Sequence, residues 1–202
     1  MKNNEIAIIG GAGFVGSRLV SRLQSNDKCF NIYDINLING LKKTVYLDVE
    51  DYASLSKIKN ASTIIHLAAV HRDDIRPISR YDNVNVKGAI NICKAARRFN
   101  INKIIFTSTV AIYGFAPANT NENGKPEYFN DYGRTKFEAE KVYSSWLEKN
   151  PEEKSLVIND TAEVNTWLSY FPFQKDSVKS SLKWDFPQDK KVPSFLQGER
   201  EP

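Results

Sequence analysis

Gly10-Gly11-Ala12-Gly13-Phe14-Val15-Gly16 is the stretch whose reading decides the fold of this chain. The apolar run Glu5–Ile9 leads straight into it. An amphipathic stretch, Phe14 to Leu23, leads out of it, with Val15, Leu19, Val20 and Leu23 on one face. In a strand–turn–helix unit of this kind each glycine has a task. The first permits the tight turn, the second lets the backbone come close to a pyrophosphate, and the third lets the helix pack against the strand. Backbone N–H groups at the helix start, helped by the helix dipole, then face the phosphates. The spacing is GxxGxxG. A glycine pattern alone is weak evidence, and the flanking strand and helix give this one its meaning.

Outward from the loop, short β-type runs alternate with longer amphipathic segments as far as residue 160. After Glu5–Ile9 come Cys29–Tyr33, Thr44–Leu47, Thr63–Leu67, Lys103–Thr107 and Ser155–Ile158. The helix-like stretches between them include Val84 to Phe99, with Val86, Ile90, Cys93 and Ala96 or Arg97 on one face. Asp131 to Leu147 carries Tyr132, Phe137, Val142, Tyr143 and Trp146, with Asn130 or Asp131 as its cap. Ile-rich strands with few polar interruptions suit a sheet covered on both faces. The expectation is an α/β fold, a Rossmann-type doubly wound parallel sheet spanning residues 1–160. Residues 161–202 break the alternation. They hold four of the eight prolines and two of the three tryptophans, a texture too aromatic for a typical disordered tail and too irregular to assign.

The second run leads to Asp34, eighteen residues after Gly16. A carboxylate there accepts hydrogen bonds from ribose hydroxyls and repels the extra phosphate of NADP. No arginine follows to reward that phosphate, so the residues favour NAD.

Composition narrows the rest. The chain of 202 residues is 41% hydrophobic and 26% charged, with a net charge of +4 spread along its length, which argues for a solvated surface and against a nucleic-acid partner. No stretch approaches the roughly 18 apolar residues that span a membrane. Nothing at the N-terminus reads as a signal peptide, so a cytoplasmic protein is expected. Cys29 and Cys93 sit in apolar patterns and read as reduced core thiols. No cluster of residues has metal-ligand spacing. His66 reads as a satisfied core histidine, and Arg97-Arg98 as a favourable helix end. The loop His71-Arg72-Asp73-Asp74 reads equally as a solvated loop or as one that approaches the ligands.

Tyr132-Gly133-Arg134-Thr135-Lys136 places a phenol and an ammonium on one helix face. A neighbouring cation favours the phenolate, which suits proton transfer. With these residues in order, the sequence from Glu5 to Ile158 resembles the extended branch of the short-chain dehydrogenase/reductase superfamily, the NAD-dependent sugar-nucleotide epimerases and dehydratases. The loop Gly10–Gly16 and Asp34 carry the resemblance together with Asp48-Val49, Leu67-Ala68-Ala69, Asn85-Val86-Lys87-Gly88 and the strand end Phe106 to Gly114.

The resemblance implies that Tyr132 takes a proton from a sugar hydroxyl and that Lys136 binds the nicotinamide ribose and tunes Tyr132. It implies that Thr109 hydrogen-bonds the reacting oxygen, that Thr107 and Ser108 line the nicotinamide, and that Asp48 and Val49 meet adenine. Gly10, Gly13, Phe14, Val15, Gly16, Leu67, Ala68, Ala69 and Asn85 complete the implied cofactor set. The 4,6-dehydratases of the family place Asp-Glu directly after the catalytic Thr. Here Val110 and Ala111 stand there, which leaves epimerase-like chemistry. The resemblance also implies a nucleotide-sugar substrate, such as a UDP-sugar, and a homodimer. It stops at Ile158, where family members continue into a substrate lobe. Two other readings stay open: an NAD-binding remnant or sensor without turnover, and an NADP-dependent carbonyl reductase.

Overall fold

A computed structural model describes residues 5–37, 44–115, 117 and 124–149, and the backbone of 155–159. The tail 161–202, assigned no structure from its sequence, lies outside the described residues. Six strands, β1 (Ile6–Ile9), β2 (Phe30–Asp34), β3 (Thr44–Tyr46), β4 (Thr63–His66), β5 (Lys103–Thr107) and β6 (Ser155–Asn159), form one sheet. All pairs are parallel and the order is β3-β2-β1-β4-β5-β6. This is the doubly wound arrangement expected from the sequence, with the chain reversing direction across the sheet between β1 and β4.

The register explains why isoleucine dominates the strands. Ile8 pairs with Ile32 on one side and Ile65 on the other, and Ile65 pairs with Ile105. These residues are buried, and so are Ala7, Ile9, Ile64, Ile104 and Phe106, which alternate with them. A strand buried on both faces has no polar phase, so its sequence is a continuous apolar run. Each fully buried Ile contributes about 1.5–3 kcal/mol relative to an exposed one.

Helix α1 (Phe14–Gln24) buries Leu19, Val20 and Leu23 as expected. The second long helix differs from its sequence reading. It begins as α2 (Ser79–Tyr81), widens into a π-helical stretch (Asp82–Lys87) and continues as α3 (Gly88–Arg98). The buried face is Asn85, Gly88, Ala89, Ile92, Cys93, Ala95 and Ala96, whereas Val86 and Ile90 are half-buried and Arg97 is exposed. The helix seats its small residues inward, where backbones approach closely, and the π turn shifts the phase of the stripe. Val86 and Ile90 instead line a groove with Val142 and Trp146 of α4 (Asp131–Glu148). Cys29 is a second correction. It precedes the first residue of β2 and is exposed, while Cys93 is buried; neither is in a disulfide.

Helix α4 starts as its sequence suggests. The Asn130 side chain accepts a hydrogen bond from the Gly133 amide at 2.8 Å, satisfying one of the helix's unpaired N–H groups. Arg97 and Arg98 occupy the last turn of α3, at the negative end of its dipole. No described helix is long and apolar enough to cross a membrane.

Candidate cofactor and catalytic cleft

A cleft of about 800 Å³ opens at the C-terminal ends of the strands, where the chain reverses between β1 and β4. The glycine loop forms its floor. Gly10 has φ +82°, and a Cβ there would stand 2.4 Å from the Ala68 amide nitrogen. At Gly16 a Cβ would stand 2.5 Å from the Gly11 Cα, so the helix meets its own loop at closest approach. Gly13 is different. A Cβ there would meet only the Gly10 carbonyl oxygen, at 3.4 Å, so the space beside this residue is open to the cleft. That is the cradle a pyrophosphate requires beside backbone N–H donors.

Asp34, at the end of β2, is buried and faces the same cleft. Its Oδ2 accepts from the Ala12 amide at 3.0 Å and its Oδ1 accepts from the Asn36 amide at 2.9 Å. The carboxylate therefore braces the glycine loop while keeping lone pairs for ribose hydroxyls. Asp48 and Val49 continue the wall, followed by Leu67, Ala68 and Ala69. Phe14 and Val15 lie at the loop's helix end. Together the open space at Gly13 and the braced acid fit an adenine dinucleotide.

Thr107, Thr109, Tyr132 and Lys136, from the end of β5, the segment after it and the start of α4, line the same cleft. Thr109 caps the 3-10 turn Val110–Tyr113, its Oγ1 accepting from the Ala111 amide at 3.2 Å. The Thr107 hydroxyl donates to the His66 carbonyl. Tyr132 and Lys136 project from the first turns of α4. Arg134 between them fixes that helix end with a two-pronged pair to Asp82, both contacts at 2.9 Å, and a third bond to Asp131. The guanidinium holds the Asp82 carboxyl below the usual carboxylate range. Lys136 is only 2% exposed, and burial pushes its ammonium down to about 7, with Glu140 opposing the shift.

Two residues of the implied set lie elsewhere. Asn85 is 2% exposed and outside the cleft lining. Its amide nitrogen donates to the Val70 carbonyl and the Thr135 hydroxyl, and its oxygen accepts from the Val70 amide, so it ties the β4 loop to α4. The Ser108 hydroxyl turns away from the cleft and donates to the Glu140 carboxylate. Conversely, Asn36, Glu50, Val70, Arg80 and Val84 line the cleft without a sequence signal. Glu50 and Arg80 form an ion pair at 2.7 Å between segments thirty residues apart, a contact that only the fold creates. His71 also reaches the cleft, its ring edge-on to that of Tyr132 with centroids 6.5 Å apart.

His66 is buried as expected but only half satisfied. Its Nδ1 shares a 2.6 Å hydrogen bond with the Tyr143 hydroxyl, while Nε2 has no partner among the described residues. Burial, reinforced by the charge of Lys136, pushes its pKa down to about 3. Both groups bind fewer protons folded than unfolded. The stability each allows is full above its unfolded value and is lost as pH falls toward its folded value. The windows are about 6.5 to 3 for His66 and 10.5 to 7 for Lys136. In each window the slope approaches about 1.4 kcal/mol per pH unit. Urea midpoints of the cofactor-free protein should therefore fall between pH 6 and pH 5, above the carboxylate range. His66→Gln should flatten that fall; an unchanged slope in the variant refutes the assignment.

Residues 6–155 match the family model described as the NAD dependent epimerase/dehydratase family. The chain belongs to that family. Among its members, the N-acetyl-α-D-glucosaminyl-diphospho-ditrans,octacis-undecaprenol 4-epimerase of Escherichia coli O157:H7 is 38% identical over 165 residues, covering 77% of this chain and 47% of that protein. The UDP-glucose 4-epimerase of Lacticaseibacillus casei is 34% identical over 151 residues, covering 68% of this chain and 45% of its own. The crystal structure of UDP-glucose 4-epimerase from Brucella ovis in complex with NAD superposes with a TM-score of 0.71 at 25% identity, covering 78% of this chain and 51% of that one. The chain thus spans about half the length of the curated relatives it matches. One relative, the UDP-glucose 4-epimerase of Lactobacillus helveticus, aligns at 31% identity over 96% of the chain, so the alignment with that protein runs past Ile158, where the sequence reading ends the resemblance.

Proposed function

We propose that residues 1–160 form the NAD-binding Rossmann domain of a cytoplasmic sugar-nucleotide epimerase, and that Tyr132, Lys136 and Thr109 carry its chemistry. The observation that supports this most is that these three residues line the same cleft as the glycine loop. NAD, when bound, supplies a reversible hydride acceptor. Gly13 and the start of α1 would hold its pyrophosphate, Asp34 its adenosine ribose, and Asp48 and Val49 its adenine. Lys136 donates to the nicotinamide ribose. Tyr132 would take the proton of the substrate hydroxyl and return it to the same oxygen, as that carbon loses hydride and regains it on the opposite face. Thr109 donates to the reacting oxygen and keeps it in line with Tyr132. Proximity and orientation supply much of the rate. Val110 and Ala111, which follow Thr109, hold no proton for a water elimination.

A second substrate is favoured by one relative and one surface. The 38% identical relative is named for a sugar diphosphate carried on undecaprenol. In the segments that follow Thr109 and precede Tyr132, Phe115 is 90% exposed and stacks on the exposed Phe129 at 5.0 Å, an apolar ledge suited to an isoprenoid chain. Calorimetry with NAD, followed by turnover on UDP-hexoses and on N-acetylhexosamine diphosphates carrying short isoprenoids, separates the cases. NAD binding with turnover of either class supports an epimerase and names its carrier. NAD binding without turnover of any supports the non-catalytic reading. For the homodimer, the groove of Val86, Ile90, Val142 and Trp146 is the contact we propose, and sedimentation as a monomer at micromolar concentration refutes it.

A further inference from the structure

Along α4, buried Lys136 is followed one turn later by half-buried Glu140. Lys136 lies over the Phe106 ring, its Nζ 4.0 Å from the centroid. Glu140 stands one turn further along the same helix, and its carboxylate accepts the Ser108 hydroxyl from the segment that follows β5. The other groups around Lys136 come from two directions. His66 on β4 is held neutral and bonded to Tyr143, and Tyr132 lies one turn earlier on the cleft side of α4. None of these is a carboxylate. Among the groups that act on Lys136, Glu140 supplies the negative charge, and it opposes the effect of burial.

We propose that Glu140, held in place by Ser108, is the positioning residue that keeps Lys136 in its ammonium form at the cleft wall. The ammonium has three protons to donate, whereas a neutral amine turns one lone pair outward and loses the positive charge beside Tyr132. Ser108 thereby acts through Glu140, which accounts for its absence from the cleft lining. The inference rests on the reading that Lys136 belongs to the cofactor site.

Lysine labelled with ¹³C at Cε reports the ionisation of Lys136 directly in the full chain, without substrate or cofactor. Its resonance is identified by its disappearance in Lys136→Arg. Glu140→Gln preserves shape and the acceptor for Ser108 but removes the charge, and should lower the Lys136 midpoint by about one pH unit or more. Ser108→Ala, which keeps the charge and frees the carboxylate, should lower it by less, and Glu140→Asp should restore part of the loss. A midpoint in Glu140→Gln equal to that of the parent overturns the proposal. If that variant does not fold, Ser108→Ala decides: a lowered midpoint supports the proposal and an unchanged one overturns it. NAD calorimetry on the parent chain keeps the two readings apart. Absence of binding heat refutes the cofactor site and leaves the Lys136 titration to be judged by itself.

Discussion

Tyr132→Phe should bind NAD as the parent chain does and turn over substrate roughly 10²–10⁴-fold more slowly. The substitution removes one oxygen from a half-buried side chain on the cleft wall and leaves the ring, its edge contact with His71 and the cap of α4 in place. Stability should change little, because Tyr132 is a half-buried residue of the cleft lining and not of the buried core. The informative comparison is therefore between affinity and rate. A variant that loses NAD affinity in proportion to turnover shows Tyr132 to be a binding residue. A variant that retains turnover removes Tyr132 from the proposed chemistry altogether.

Gly10→Ala and Gly13→Ala should separate folding from binding within one loop. At position 10 the new methyl meets the backbone of Ala68 and Leu67 below 3 Å, in a left-handed conformation that alanine disfavours. Neither contact can yield, since both are main chain in the loop after β4. The expected loss is roughly 3 kcal/mol, a large part of the 5–15 kcal/mol that holds a domain together. At position 13 the backbone is extended, with φ −72° and ψ −178°, and a methyl meets one oxygen at an almost ordinary distance. Gly13→Ala should therefore unfold at nearly the parent's urea midpoint, yet lose about tenfold or more in NAD affinity, because the methyl takes cleft space beside the phosphate-facing amides. Equal effects of the two substitutions on urea midpoint refute this division of labour.

The sheet was legible because its strands are buried on both faces, and runs such as Ile6–Ile9 and Ile104–Phe106 advertise this in any sequence context. The loop and Asp34 were legible because their requirements are local: a turn, a close approach and an acid one helix later. What escaped depends on contacts between distant segments. The inward face of α3 sets Ile92 and Cys93 among Gly88, Ala89, Ala95 and Ala96, whose burial reflects tight packing and not hydrophobic size, so a stripe drawn through the larger Val86 and Ile90 meets it only at Cys93 and Ala96. Cys29 leads into the run Phe30–Tyr33 but sits where the chain enters β2 and is exposed. Asn85 and Ser108 carry polar groups that serve equally for a ligand or for a neighbouring helix, and only the fold shows them bonded to Val70, Thr135 and Glu140. Glu140 stands one turn after Lys136 in the sequence, but its bond to Ser108 is a contact that only the fold creates.

The hydrogen bond from the Ala12 amide to Asp34 bears on how this lineage could change its diet of cofactors. Asp34 repels a 2′-phosphate and also anchors the loop, so its replacement by a neutral or basic residue strips an amide of its acceptor at the same stroke. A redesign toward NADP then needs a second acceptor for Ala12 before it needs a cation. Drift in coenzyme preference is thereby barred by a mechanical tie, and a library that varies position 34 alone should return destabilised clones far more often than switched ones.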